Sequence, residues 1–240
     1  YAARISVAHA DVLACQLLRG RCFLGRDARD HDAFDAQCQH LMIEDAVGRL
    51  VAAARLRVFA TGDRIGESYS AQFYDLAGLA GQGATMLELG RFCIAPDVRD
   101  PDVVRIAWGA LTQVVDEQAV GILFGCTSFS GTDPAPYARS FARLAARHRG
   151  PDTLRPAALV DDVVRLDSVR GAGVAPLPSL LRSYLAMGGW VGDHAVIDRQ
   201  MQTLHVFTCL DIAAIPPARA GALRAVAARL GGGGHRNAAG

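Results

Sequence analysis

At 240 residues the chain is long enough to bury a sizeable core, as one large domain or two small ones. Its 51% apolar and 20% charged content excludes a disordered or fibrous chain, and a formal net charge of +1 gives no electrostatic footprint for nucleic acid. No apolar run approaches the roughly 18–20 residues of a membrane-spanning helix and no secretory leader is visible, so a cytoplasmic protein is expected. All 25 basic residues are Arg. Arg does not deprotonate, so Schiff-base and lysine general-base chemistry is excluded. Six cysteines (15, 22, 38, 93, 126 and 209) are scattered without a C-x-x-C pair. That spacing suits neither a zinc site nor a disulfide framework and agrees with a reducing compartment.

In chain order, residues 4–7 read as a short strand, and 9–24 carry apolar residues at helical spacing. Asp30 or Asp32 is placed to cap a short helix through Cys38. Residues 41–44 and 49–59 read as a hairpin around 45–48. The Gly-rich stretch 60–83 is expected to hold one helical piece, 70–76. Residues 85–94 form an apolar strand, and Pro101 opens a helix to about 118. A strand (120–126), a helix from Asp133 to near His148, and a linker or insertion (150–176) follow. A helix (180–187), strands 195–198 and 204–210, and a last amphipathic helix from Pro217 complete the pattern. Strands interleaved with helices, with hairpins at both ends, predict an α/β layer with a mixed sheet.

The strand E-L-G-R-F-C-I (88–94) carries the chemistry. A Gly inside a strand marks a bulge or a close backbone approach. Glu88 and Arg91, three apart, would point to opposite faces of a regular strand. One extra residue at a bulge near Gly90 brings them to one face. The same residues also suit a salt-bridged strand edge. Arg19 and Phe23 lie one helical turn apart, and Asp32, Asp35 and Arg55 follow in order.

This order resembles the acyl-homoserine-lactone synthases and their relatives, which have the GNAT N-acyltransferase fold. The fuller pattern is similar to the bacterial L-ornithine N-alpha-acyltransferases, over roughly residues 4–215. It includes C-Q-H-L (38–41), S-Y-S-A-Q-F-Y-D-L (68–76), G-C-T-S-F-S-G-T-D (125–133), L-P-S-L-L-R-S-Y-L-A-M-G (177–188) and V-I-D-R-Q-M-Q-T-L-H-V-F (196–207). The resemblance implies a GNAT-like domain over 1–215, with a mixed central sheet, a bulged central strand and flanking helices. Residues 216–240 would be a C-terminal helix and a Gly-rich tail. The implied reaction transfers a 3-hydroxyacyl group from acyl carrier protein to the α-amine of L-ornithine, giving lyso-ornithine lipid. No tightly bound cofactor and no metal are expected, the donor being the acyl-phosphopantetheine of the carrier.

In that reaction Glu88 is the expected base, and an amide between Arg91 and Cys93 the oxyanion donor. The pantetheine arm would add along the strand near Ile94 by main-chain hydrogen bonds. Arg19, Arg55 or Arg91 suits the ornithine carboxylate, and Asp32, Asp35 or Asp75 its side-chain ammonium, with Phe23 beside them. These residues equally suit a structural ion-pair network. Ser128 and Tyr137 are candidates for protonating the leaving thiolate, and His40 reads as a core histidine. The loop after the strand, A-P-D-V-R-D-P, lacks the glycines that cradle a coenzyme A pyrophosphate, which favours a carrier donor. Arg99 and Arg105 are candidates for its phosphate or its acidic residues, or a solvated helix face. Arg139, Arg143 and Arg147 form one helical stripe, with His148, Arg149 and Arg155 nearby. That stripe suits an acidic carrier or peripheral contact with an anionic membrane.

The sequence departs from the family pattern in a short 23–32 segment and in Phe92, where a small Ser is common. Acyl length and amino-acid choice stay open. The alternatives are an enzyme of the same fold acting on another amine (glutamine, glycine or the acyl-homoserine-lactone precursor), and a non-enzymatic Arg-rich module for lipid or nucleic acid. The tail 231–240 also resembles the Gly-rich loop ending DHH-type phosphoesterases, whose metal-binding Asp and His motifs are absent here.

Overall fold

The computed structural model describes residues 1–231; the Gly-rich tail beyond Gly231 lies outside the described residues. The elements are β1 (Ala2–Ser6), α1 (His9–Phe23), β2 (Gln39–Glu44), β3 (Leu50–Phe59), α2 (Ala77–Ala80), β4 (Thr85–Ile94) and α3 (Asp102–Glu117), then β5 (Val120–Ser130) and α4 (Ala138–Arg147). After them come β6 (Val163–Arg165), α5 (Ser179–Ala186), β7 (Trp190–Asp198), β8 (Thr203–Asp211) and α6 (Pro217–Gly231). They make two compact units, with β3 and β4 each contributing to both.

The first unit holds residues 1–57, 89–120 and 216 onward. Its strand order is β1-β2-β3-β4, with β1/β2 and β2/β3 antiparallel. The β2–β3 turn is fixed by Asp45, whose Oδ1 accepts from the amides of Val47 (3.1 Å) and Arg49 (2.9 Å), and by Gly48 at φ +78°. Helix α1 buries Cys15 and Leu18 against Met42 and Ala53. Helix α6 lies on α3 at Gly109, where a Cβ would come within 2.5 Å of Val226 Cγ1. Arg224 of α6 makes a bidentate pair with Asp116 of α3 at 3.0 Å.

The second unit holds residues 58–88 and 121–215, with order β4-β5-β8-β7-β6. The β5/β8, β7/β8 and β6/β7 ladders are antiparallel. β4 and β5 start side by side, Ala84 Cβ lying 3.0 Å from where a Gly121 Cβ would sit. Helix α3 connects these two strands, as a parallel pair requires, so the pairing is mixed as expected. Tyr74, Phe124, Phe207 and Met86 centre one core cluster; Phe129, Phe141, Leu144 and Leu181 centre another.

Two expected helices are absent among the described residues. Residues 60–83 hold 3-10 turns at Gly62–Glu67 and Ser70–Gln72 and the single turn α2, not a helix over 70–76. The amides of Tyr69 and Ser70 are donated to a distant carboxylate instead. Between Asp30 and Cys38 only a 3-10 turn, Asp35–Gln37, forms. Asp30 bonds a buried arginine rather than capping, and Asp32 Oδ1 closes a two-residue turn on the Phe34 amide. Segment 150–176 carries the edge strand β6 and the fully buried Leu166.

Candidate active site

Strand β4 changes character along its length. Residues 86–89 are buried, 90–92 are half-buried, and Arg91 has φ +52°. A left-handed conformation costs a non-Gly residue about 1–2 kcal/mol, so the strand is kinked here against a local penalty. The expected irregularity therefore exists, one residue beyond Gly90. A Cβ on Gly90 would meet nothing within 4 Å.

Glu88, in the second unit, is 5% exposed. Its Oε1 accepts from Ser70 N (2.8 Å) and Ser70 Oγ (2.7 Å), and its Oε2 from Tyr69 N (3.0 Å). Each carboxylate oxygen has two lone-pair sites, so Oε1 is saturated and Oε2 keeps one acceptor site open. Cys126 of β5 donates its thiol to Ser70 Oγ at 3.5 Å, extending the chain by one group. Buried Tyr184 of α5 is held protonated by burial, then by the neighbouring Cys209 and Glu88. The motif 68–76 thus has a physical role the sequence left unassigned: its Tyr69 and Ser70 cradle Glu88. Ser70 lies 18 residues before its partner, and only the repeated Ser in S-Y-S marked it.

Removing the Ser70 hydroxyl deprives a charged group of one hydrogen bond, a loss of roughly 1.5–3 kcal/mol. Ser70→Ala is expected to lower kcat about 10- to 100-fold with the KM for the acceptor unchanged. Steady-state kinetics checks this; an unchanged kcat would show that the hydroxyl does not position Glu88.

The first unit holds a buried ion network. Arg19, 0% exposed, donates Nε to Asp30 Oδ2 (3.0 Å), Nη1 to Asp35 Oδ1 (2.7 Å) and Nη2 to Asp35 Oδ2 (2.9 Å) and the Asp30 carbonyl. Arg55 bonds Asp32 and approaches Asp35 at 3.5 Å. Arg91 reaches Asp30 (3.3 Å) and Asp32 (3.4 Å) and sits 5.9 Å over the Phe23 ring. Three guanidiniums and three carboxylates balance. Burial pushes Asp35 up, but hydrogen bonds from Arg19 and the Asp32 amide, with the charges of Arg19 and Arg55, outweigh it and hold Asp35 well below the usual range. His40, fully buried beside Asp35, is pushed down by burial and stays a core histidine, as read from sequence. Asp30, read from sequence only as a cap, is an equal member of the network.

Gly20 makes the network possible. The 24–30 loop folds back over it, Ala28 O lying 1.5 Å from where a Cβ would be, and the Asp30 amide bonds Gln16 O at 3.1 Å. Gly20→Ala is expected to push the loop off α1 and cost about 1–3 kcal/mol by overpacking. Urea denaturation measures it; an unchanged midpoint would mean that the loop yields without effort.

The remaining candidates belong neither to the hydrogen-bond cradle of Glu88 nor to the ion network. Asp75 is exposed and accepts from the Ala77 amide (3.0 Å) at the start of α2. Ser128 is exposed on β5, and Tyr137 donates its hydroxyl to Ser130 O at 2.9 Å. The hydrogen bond with Cys22, and then burial, push the Cys93 thiol up and keep it protonated, so any catalytic use of Cys93 falls to its main chain. The Ile94 carbonyl accepts from Cys22 Sγ at 3.3 Å. Arg99 folds onto the carbonyls of Pro96 and Val98, and Arg105 pairs with Asp102 at 2.9 Å. Arg139, Arg143 and Arg147 are exposed on α4, which is the predicted stripe. Among the described residues no His, Cys, Asp and Glu group could hold a metal, and no helix is long and apolar enough to cross a membrane.

Known proteins place this architecture. The family model described as acetyltransferase (GNAT) domain matches residues 20–109, a span that takes in Asp30–Asp35, Ser70 and β4. An L-ornithine N(alpha)-acyltransferase of Rhodobacter capsulatus is 37% identical over 194 residues, covering 77% of this chain and 75% of that one. The chain belongs to the L-ornithine N-alpha-acyltransferase family. A member from Rhizobium meliloti is 29% identical over 237 residues, 88% of this chain and 80% of its own. An N-acyl amino acid synthase from uncultured soil microbes aligns with a TM-score of 0.48 and 11% identity, over 89% of this chain and 96% of that chain. The fold is the GNAT fold and the protein is an acyltransferase, both as the motifs implied.

Proposed function

We propose that this acyltransferase moves a 3-hydroxyacyl group from the phosphopantetheine thioester of an acyl carrier protein to the α-amine of L-ornithine, giving lyso-ornithine lipid. The ornithine acceptor rests on the two relatives above, whose names specify it. The observation that carries the chemistry is Glu88, buried at a kinked strand with one acceptor site open on Oε2.

In this reading Glu88 takes a proton from the α-ammonium, the freed nitrogen attacks the thioester carbonyl, and the oxyanion is met by a main-chain amide between Arg91 and Cys93. The C–S bond then breaks as the amide forms, and the departing thiolate takes up the second proton that the nitrogen loses. Direct aminolysis needs no covalent enzyme intermediate. Within the ion network Asp32 and Arg91 are the outermost members, with side chains 25% and 13% exposed, whereas Arg19 and Asp35 are sealed. Asp32 is therefore assigned the ornithine side-chain ammonium and Arg91 its carboxylate, with Arg19, Asp35 and Arg55 holding both in place. A carrier rather than coenzyme A is favoured by the glycine-free loop 95–101, which offers no Gly at positive φ for a pyrophosphate.

The test is mass spectrometry of products from the purified protein, given 3-hydroxyacyl carrier protein or 3-hydroxyacyl-coenzyme A with L-ornithine. Nα-acylornithine formed chiefly from the carrier supports the proposal. Acylated glutamine, glycine or homoserine lactone in its place, with ornithine untouched, refutes the acceptor; equal use of coenzyme A refutes the donor.

A further inference from the structure

Most arginines whose partners are resolved here sit against carboxylates: Arg4, Arg49, Arg64, Arg105, Arg165, Arg199 and Arg224 make exposed ion pairs. One group does not. Arg139 and Arg143 on α4 and Arg182 on α5 have no carboxylate partner among the described residues, and they line one cavity of about 580 Å³ within the second unit. The cavity's other wall is aliphatic: Val174, Ala175, Pro176, Leu177, Leu185 and Ala186. No Asp or Glu lines it. Burial, with Arg143 and Arg147 beside it, pushes His148 below its ordinary value, so the positive charge belongs to the arginines.

The groove is built rather than incidental. The segment bearing Val174 is tied to α4 and its entry by three bonds: Arg139 N to Gly173 O (3.1 Å), Ala175 N to Pro136 O (3.0 Å) and Ser140 Oγ to Ala175 O (2.7 Å). Beneath it Phe141, Leu144 and Leu181 are fully buried. Val174 projects from this fixed segment with 69% of its surface exposed.

We propose that this groove docks the protein on an anionic phospholipid surface, with Arg139, Arg143 and Arg182 on lipid phosphates and Val174 among the acyl chains just below. Two observations favour a membrane over an acidic protein helix. Cations beside a protruding aliphatic residue are the pattern of an interfacial anchor, where apolar burial adds to charge attraction. The six aliphatic lining residues match lipid chains, whereas an acidic helix would engage the arginines and leave that wall unused. The acyltransfer product proposed above is itself an amphiphile, so docking would release it where it partitions; the lipid contact stands without that reading.

The test is sedimentation of the full chain with phosphatidylglycerol vesicles and with phosphatidylcholine vesicles. Binding is expected to the first alone and to weaken with salt. At about 1 kcal/mol per basic residue near an anionic surface, the triple Ala variant of Arg139, Arg143 and Arg182 should bind roughly a hundredfold more weakly. Val174→Asp should also lose vesicle binding while keeping its melting temperature and its kcat with soluble substrates. Equal binding of anionic and neutral vesicles, or full binding by Val174→Asp, overturns the proposal. So does a triple variant that still binds vesicles while its KM for acyl carrier protein rises, which would make the groove a carrier site.

Discussion

Glu88→Gln is expected to lower kcat by about 10²–10⁴-fold, the range supplied by a positioned general base. Gln is nearly the same shape, and its carbonyl can still accept from Ser70 N and Oγ. Its amide, however, sets two donors against the Tyr69 amide, which now donates to Oε2 at 3.0 Å. Some stability is lost as a result, on the order of 1–3 kcal/mol for a buried donor left unsatisfied. Kinetics and thermal melting on one sample separate the two effects. A folded variant with wild-type kcat would remove Glu88 from the chemistry.

The largest stability effect is expected at Asp35. It supplies two of the carboxylate contacts of Arg19, which is 0% exposed, and it also accepts Gln16 Nε2 at 3.1 Å. Asp35→Asn leaves a buried guanidinium without its main counter-charge. Breaking a buried pair in this way costs about 3–5 kcal/mol. The pH dependence has a definite sign. The folded-state value of Asp35 is depressed, so its contribution is complete above the unfolded carboxylate value of about 3.9 and is lost as pH falls towards the folded value. Denaturation curves should therefore show a wide gap between wild type and variant at pH 7 that narrows below about pH 4. A gap that is constant with pH would mean that Asp35 contributes by packing alone.

Much of the fold was legible because its signals are local. β4 begins and ends at the expected residues, the 45–48 turn is made by Asp45 and Gly48, and α3 follows Pro101. The misread segments are those whose polar groups have distant partners. Asp30 looked like a cap but bonds Arg19, whereas Asp32, read both as a cap and as a member of an ion-pair network, bonds Arg55, 23 residues on. The amides of Tyr69 and Ser70 would have extended a helix, but Glu88 takes them. β6 has three residues, too few to show a period. At the site, residue types and order were readable, whereas the division of labour was not. Arg19 and Asp35 are sealed, Asp32 and Arg91 face outward, and the left-handed residue is Arg91 rather than the adjacent Gly90. Exposure and backbone angle are set by packing, which a linear motif does not encode.

The most direct measurement is the pH dependence of kcat for wild type and Glu88→Gln, with ornithine and the acyl carrier donor. If the carboxylate deprotonates the α-ammonium, the defect is largest near pH 6–7. It then shrinks as pH rises past about 8, where solvent removes that proton. A defect of the same size across the whole range would contradict the assignment of Glu88 as the base.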